Sequence, residues 1–306
     1  MKTTLILVLL FAAGNIADAG AQSWLERLGK RAEEAAKRKV ERKIEEKVDD
    51  AVDNAFNKAE EYAKQKNPQK SDPNASIVEP PDTGTPVDDT SDWDDNEPYY
   101  ALKKGAVITY TTYDGKSRVQ GYNRQEIIEM TRAKNSVNAV VSGTQTNSKG
   151  KAESSATVAM SYRNGNFHVD LLNIMLPKEM QGIEADVKAS GHDMLIPGKL
   201  TPGQALPDAH ATFKMKVKSS EAAFDMPPLT FRVFNRRAVR AESVDTPMGK
   251  FICFKIIQTV EADYPLIGTQ RGTSIVWIGK GTGVVKTEYY DVKGKLQSRM
   301  LLTELK

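Results

Sequence analysis

The chain has 306 residues, a formal net charge of +3 and a single cysteine, Cys253. One thiol excludes an intramolecular disulfide, so stability must come from a packed core, which a chain of this length can bury. Three scattered histidines, His168, His192 and His210, leave zinc without its usual ligand set, and no metal or cofactor is expected.

The chain opens with Lys2 and an apolar run from Leu5 to Ala13, followed by Ala19 and Ala21 at the spacing of a small-residue cleavage site. This reads as a secretory signal peptide over residues 1–21, cut after Ala21. A bilayer span takes about 20 apolar residues and this run is much shorter, so no permanent anchor is expected. No cysteine lies near the cut, which closes the lipoprotein route. The expected location is the periplasm or cell envelope, with the cell surface also open.

Residues 22–66 read as one long charged helix. Leu25, Leu28, Ala32, Ala36, Val40, Ile44, Val48, Val52, Ala55, Ala59 and Tyr62 recur at a mean spacing of about 3.7, nearer an eleven-residue repeat than a heptad. Glu33, Glu34, Glu41 and Glu45 alternate with Arg31, Lys37, Arg38 and Arg42, which permits ion pairs four residues apart. A solvated helix and a self-associating or docking helix both fit this pattern.

Residues 67–98 form an acidic linker with Pro68, Pro73, Pro80, Pro81 and Pro86, and with Asp88, Asp89, Asp92, Asp94, Asp95 and Glu97 near its end. Prolines remove backbone donors and like charges repel, so the stretch is expected to stay a disordered tether. Trp93 is an isolated aromatic within it.

Residues 99–306 read as a mainly β domain. Val107 to Tyr113 is rich in β-branched and aromatic residues and runs into Asp114-Gly115-Lys116; Ala156 to Arg163 ends in Asn164-Gly165; Glu288-Tyr289-Tyr290 approaches a turn at Lys293-Gly294. Tight turns between neighbours imply an antiparallel meander, and a curved sheet implies a half-barrel or barrel. Arg124 to Lys134, with Ile127, Ile128 and Met130, is the one helical candidate in this part.

Toward the end, Gly249-Lys250-Phe251-Ile252-Cys253-Phe254-Lys255-Ile256 precedes a strand ending in Trp277. There follow Gly281-Thr282-Gly283-Val284-Val285-Lys286-Thr287-Glu288-Tyr289-Tyr290-Asp291 and Gly294-Lys295, while Pro202-Gly203-Gln204-Ala205-Leu206-Pro207-Asp208 lies upstream. In this order the motifs resemble the DUF3108-like, or TapB-like, family of exported bacterial envelope proteins, over roughly residues 100–306. The resemblance implies an antiparallel half-barrel in the envelope and an interaction with a tetratricopeptide-repeat protein. It supplies no catalytic residues.

The residues give little sign of catalysis. No Gly-x-Ser-x-Gly elbow is present. Cys253 lies in an apolar strand, where burial raises a thiol pKa. The run Gly279-Lys280-Gly281-Thr282-Gly283 leads into Val284 and Val285 rather than a helix, so it reads as a hairpin connection and not a phosphate cradle. A non-enzymatic role is expected.

Charge is distributed unevenly. The linker carries one basic and nine acidic residues, the β domain 29 basic and 19 acidic. In Phe213-Lys214-Met215-Lys216-Val217-Lys218, strict alternation aims three lysines at one face and the apolar residues inward. Lys214, Lys216 and Lys218, with Arg236, Arg237 and Arg240, form the expected site for an anion or partner. Outward lysines that merely discourage edge pairing fit the same pattern. Nucleic acid is not expected, since no aromatic stacking motif accompanies the basic residues. Two functional readings follow: an envelope adaptor binding a protein partner or an anionic component such as a glycan, and a carrier of a lipid or other apolar ligand inside the barrel. Met160, Met175, Met180, Met194, Met215 and Met226 are adaptable fillers that suit the second.

Overall fold

The computed structural model describes residues 85–86, 98–100, 102–134, 136–171, 185–218, 223–264 and 268–306. The expected signal peptide, the long helix and most of the linker, Trp93 included, lie outside them. Fifteen strands are present among the described residues: β1 (Thr85–Pro86), β2 (Val107–Asp114), β3 (Val119–Ala133), β4 (Ser136–Asn147), β5 (Ala152–Arg163), β6 (Asn166–Val169), β7 (Ala185–His192), β8 (Met194–Pro197), β9 (Ala205–Leu206), β10 (Ala209–Lys218), β11 (Ala223–Thr246), β12 (Gly249–Tyr264), β13 (Gly268–Gly279), β14 (Gly283–Asp291) and β15 (Leu296–Leu305). They form one antiparallel sheet in the order β7-β10-β11-β12-β13-β14-β15-β2-β3-β4-β5-β6-β8, with β1 and β9 added to β11.

The two ends of this path, β7 and β8, are consecutive in the chain and separated only by Asp193. One bent strand therefore pairs with β10 before the bend and with β6 after it, which brings the sheet round into a nearly closed barrel. Closure of this kind covers sheet edges that would otherwise invite pairing.

The expected turns are in place. Asn164 and Gly165 both have positive φ, 51° and 73°, as a two-residue hairpin between β5 and β6 requires. The Gly279–Gly283 stretch joins β13 to β14. Two expectations are corrected. Arg124–Lys134 is not a helix, because β3 runs to Ala133 between β2 and β4. A bulge between Ile127 and Glu129 inserts Ile128 as an unpaired residue, leaving it 37% exposed while Ile127 is buried and Met130 packs on the core. That slip of the two-residue alternation brings apolar residues close together and imitates a helical period. The linker, in turn, is not wholly unstructured: Thr85 and Pro86 pair with Ser243 and Glu242 of β11.

The inner face carries Tyr110, Ile127, Val141, Val158, Met160, Phe167, Val169, Met194, Phe213, Phe231, Val260 and Ile278, all buried. One end of the barrel is sealed. Tyr100 stacks on Phe167 at 4.1 Å between ring centroids, and Tyr99 and Leu102 are buried beside it. The Gly281 N–H donates to the Pro98 carbonyl at 2.9 Å and the Gly283 N–H to the Tyr99 carbonyl. Gly283 has φ +89°, and a Cβ there would meet the Tyr100 ring at 2.8 Å, so only glycine fits this close approach.

Candidate functional site

The six basic residues expected to form one site are divided by the fold. Lys214 and Lys216 on β10 are exposed and Phe213 faces inward, as the alternation requires. The side chains of Met215, Val217 and Lys218 lie outside the described set. Met215 stands opposite Met226 of β11, and Arg237 is eleven residues further along that strand. At about 3.3 Å per residue the arginines are roughly 35 Å from the lysines. Short separation in sequence became long separation in space because β11 runs on as one strand from Met226 past Arg237.

Arg236 is a clear correction, since it is 3% exposed and points inward. Phe234 pairs with Thr259 and Arg237 with Ile257, so Asn235 and Arg236 together face Gln258 in a bulge, with Asn235 at φ 52°. The bulge re-aims Arg236 into the barrel. Its guanidinium donates to Gln258 Oε1 at 3.1 Å, to the Leu195 carbonyl at 3.0 Å and to the Pro207 carbonyl at 2.6 Å. Leu195 belongs to β8, at the far end of the sheet path, so this cation ties the closing strand to β11 and β12. Burial lowers its pKa to about 10, and it stays charged at neutral pH. Arg237 is exposed, and Arg240 pairs with Glu242 at 3.1 Å.

The cation that sequence reasoning missed is Lys188. It lies on β7 directly opposite Lys214, and both side chains are exposed. Cross-strand partners share a face with Cβ atoms about 5 Å apart, and like charges in that position destabilise a sheet. Lys216 stands in register with Asp186 on one side and Asp225 on the other. The Lys188–Lys214 pair is therefore the cationic centre of the strip. Only the alternation within Ala185–His192 hinted at it, and strand pairing across 26 residues cannot be read from local pattern.

A second group of charges is buried on the face opposite the barrel interior, across β11 to β15. The Trp277 indole N–H donates to Glu242 Oε1, and Lys286 Nζ lies 4.2 Å from the centre of the Trp277 ring. Glu288 accepts from the Tyr290 hydroxyl at 2.6 Å and from Arg299 at 2.9 Å, and pairs with Lys286 at 3.0 Å. Burial alone would raise the Glu288 pKa; Lys286, Tyr290 and Arg299 outweigh it and hold the carboxyl below its usual range. Each charge has a partner here, which is what a buried charge requires. The arrangement braces a wall whose described residues are buried on both faces.

Cys253 is fully buried beside Glu242, and burial pushes its thiol pKa well up, so it belongs to the core. His192 and His210 are cross-strand partners with ring centroids 4.8 Å apart, edge to face. His168 lies apart from them, 3.9 Å from Asp193. No group of three metal-ligating side chains occurs among the described residues. An outer depression of about 260 Å³ lies over β3 to β6, with Val140 and Ala159 at its floor and Glu129, His168 and Asp193 around it. Inside the barrel, the void beneath Tyr100 and Ile127 measures about 10 Å³, at the limit for a single water. Met160 and Met194 are buried on the inner face of the barrel, and Met160 lines this void.

These features define an antiparallel barrel nearly closed by a bent strand, with charge arranged over its outside. The chain belongs to the DUF3108-like family, whose model matches residues 103–302. Two solved structures are similar to it. One, from Bacteroides fragilis, is described as an exported protein with a YmcC-like fold; it is 22% identical with a TM-score of 0.55, covering 69% of this chain and 99% of that one. The other, from Parabacteroides distasonis, is described as a lipoprotein; it is 20% identical with a TM-score of 0.55, covering 70% of this chain and all of that one. At such identities the likeness is one of fold. No match was found among curated proteins.

Proposed function

We propose that this chain is a non-enzymatic interaction module of the cell envelope, binding an acidic surface of a protein partner through the Lys188–Lys214 strip. The observation that carries the reading is the cross-strand lysine pair itself. Two exposed cations directly opposite one another weaken the strand pairing they sit on, so the strength of that pairing gives no reason for them. Electrostatic complementarity to an acidic partner supplies one, chiefly as faster association and discrimination between partners. The family resemblance suggests a tetratricopeptide-repeat protein as that partner. The signal peptide expected from the sequence supports the envelope location, as do the descriptions of the two similar structures. Carriage of a lipid inside the barrel is the second reading; the void under Tyr100 is too small for an acyl chain, so such a ligand would have to lie elsewhere in the barrel.

The test is affinity capture from envelope extract with the wild-type chain and with K188E/K214E. Specific capture by wild type that the double charge reversal abolishes is the expected result. Equal capture by both proteins, or by neither, removes the proposal.

A further inference from the structure

Three hairpins share a device that neither composition nor family reveals. In the β2–β3 turn, Asp114 Oδ1 accepts from the N–H groups of Lys116 at 2.8 Å and Arg118 at 2.9 Å. In the β4–β5 turn, Asn147 Oδ1 accepts from Lys149 at 2.9 Å and Lys151 at 3.1 Å. In the β14–β15 turn, Asp291 Oδ1 accepts from Lys293 at 2.9 Å and Lys295 at 3.0 Å. Each Asp or Asn thus caps the residues two and four positions on, and every one of those residues is Lys or Arg.

The sheet order brings the three turns together. Strands β14, β15, β2, β3, β4 and β5 are consecutive and antiparallel, so their hairpins emerge at one end of the barrel, opposite the end sealed by Tyr99 and Tyr100. Adjacent strands are about 4.8 Å apart, so successive tips are about 10 Å apart across the strands, each stepped along them because Asp114 stands opposite Ser298 and Asn147 opposite Gly121. The six cationic side chains, Lys116, Arg118, Lys149, Lys151, Lys293 and Lys295, are all exposed, with Asp114 and Asp291 the only carboxylates in these tips. Asp114 is already engaged with Arg118 at 2.6 Å. Val292, at the tip of the last turn, is 65% exposed.

We infer that this end of the barrel docks on an anionic bilayer surface. A row of lysines held on rigid, backbone-capped turns meets a plane of negative headgroups with little ordering cost, and Val292 is placed to enter the interfacial region. A protein partner would need a matching acidic crescent. A headgroup layer is anionic across its whole surface and deformable, so it meets three separated tips without such a constraint. This surface is distinct from the Lys188–Lys214 strip, so the two proposals can fail separately.

Flotation of the purified chain with phosphatidylcholine vesicles, with and without phosphatidylglycerol, tests the inference. Binding should require phosphatidylglycerol and weaken as salt shortens the reach of the charges. Each lysine removed should cost about fivefold, so K116Q/K149Q/K293Q should bind about a hundredfold more weakly, whereas K188Q/K214Q should bind nearly as wild type. The turns are capped through backbone N–H groups, so these side-chain changes leave the fold in place, which circular dichroism of each variant checks. Equal binding to both vesicle types overturns the inference, as does loss of binding in K188Q/K214Q but not in the triple variant.

Discussion

The two ends of the barrel use the same residue types in opposite ways. At the sealed end, Lys280 donates to the Gly198 carbonyl at 2.7 Å and sits 4.7 Å from the Tyr99 ring centre, and Arg132 reaches the Leu102 carbonyl at 3.0 Å. There the cations serve as internal ties for backbone oxygens that strand pairing leaves over. At the opposite end, Lys116, Lys149, Lys151, Lys293 and Lys295 stand clear of the sheet on turns whose backbone is already satisfied. A cation's role is thus decided by whether nearby carbonyls are paired, not by its local sequence.

If the sealed end is structural, its removal should produce the largest losses of stability. Tyr100→Ala removes a buried ring stacked on Phe167 and leaves a hole at the barrel's base, with an expected cost of about 3–5 kcal/mol in urea unfolding. A loss below about 1 kcal/mol would show that Tyr100 is not part of the core. Arg236→Met should follow at about 2–4 kcal/mol, because the Leu195 and Pro207 carbonyls and Gln258 lose their donor in the interior. Hydrogen exchange should also show β8 opening more readily in that variant, since the tie between β8 and β11 is gone.

These two residues also mark how far sequence reasoning reached. The β class, the hairpin turns and the buried Cys253 were legible because each depends on a few neighbouring residues: alternation, an Asn-Gly pair, an apolar run. Barrel closure was not, since it depends on β7 and β8 taking different partners on either side of Asp193. Arg236 and Ile128 were misplaced for one shared reason. Each sits at a β-bulge, and a single extra residue reverses the face of everything after it. Lys188 was missed because its meaning arises only from Lys214 across the strand pair. The repeated caps at Asp114, Asn147 and Asp291 were visible as residues, but their gathering at one rim needed the strand order.

Between the two ends lies the wall in which Glu288 is buried among Lys286, Arg299 and Tyr290. Its folded pKa lies below the unfolded value, so its ionised form stabilises the fold above the unfolded carboxylate pKa. That contribution disappears as pH falls through the folded pKa. Glu288→Gln should therefore lower stability at neutral pH, by about 1–3 kcal/mol, and flatten the acid limb of a stability–pH curve. An unchanged acid limb would mean that other carboxylates carry it.

The smallest effects are expected at the cationic rim, and there the contrast between cap and lysine is sharpest. Asn147→Ala removes the acceptor for two backbone N–H groups and should cost about 0.5–1 kcal/mol, as loss of a local side-chain cap commonly does. Lys149→Gln and Lys151→Gln remove neither acceptor nor backbone donor, so stability should stay within about 0.5 kcal/mol of wild type. Thermal unfolding of the three variants side by side measures the difference. A rim whose lysines stabilised the fold as much as Asn147 does would be a structural cluster like the one around Arg236, and the two ends of the barrel would no longer differ in kind.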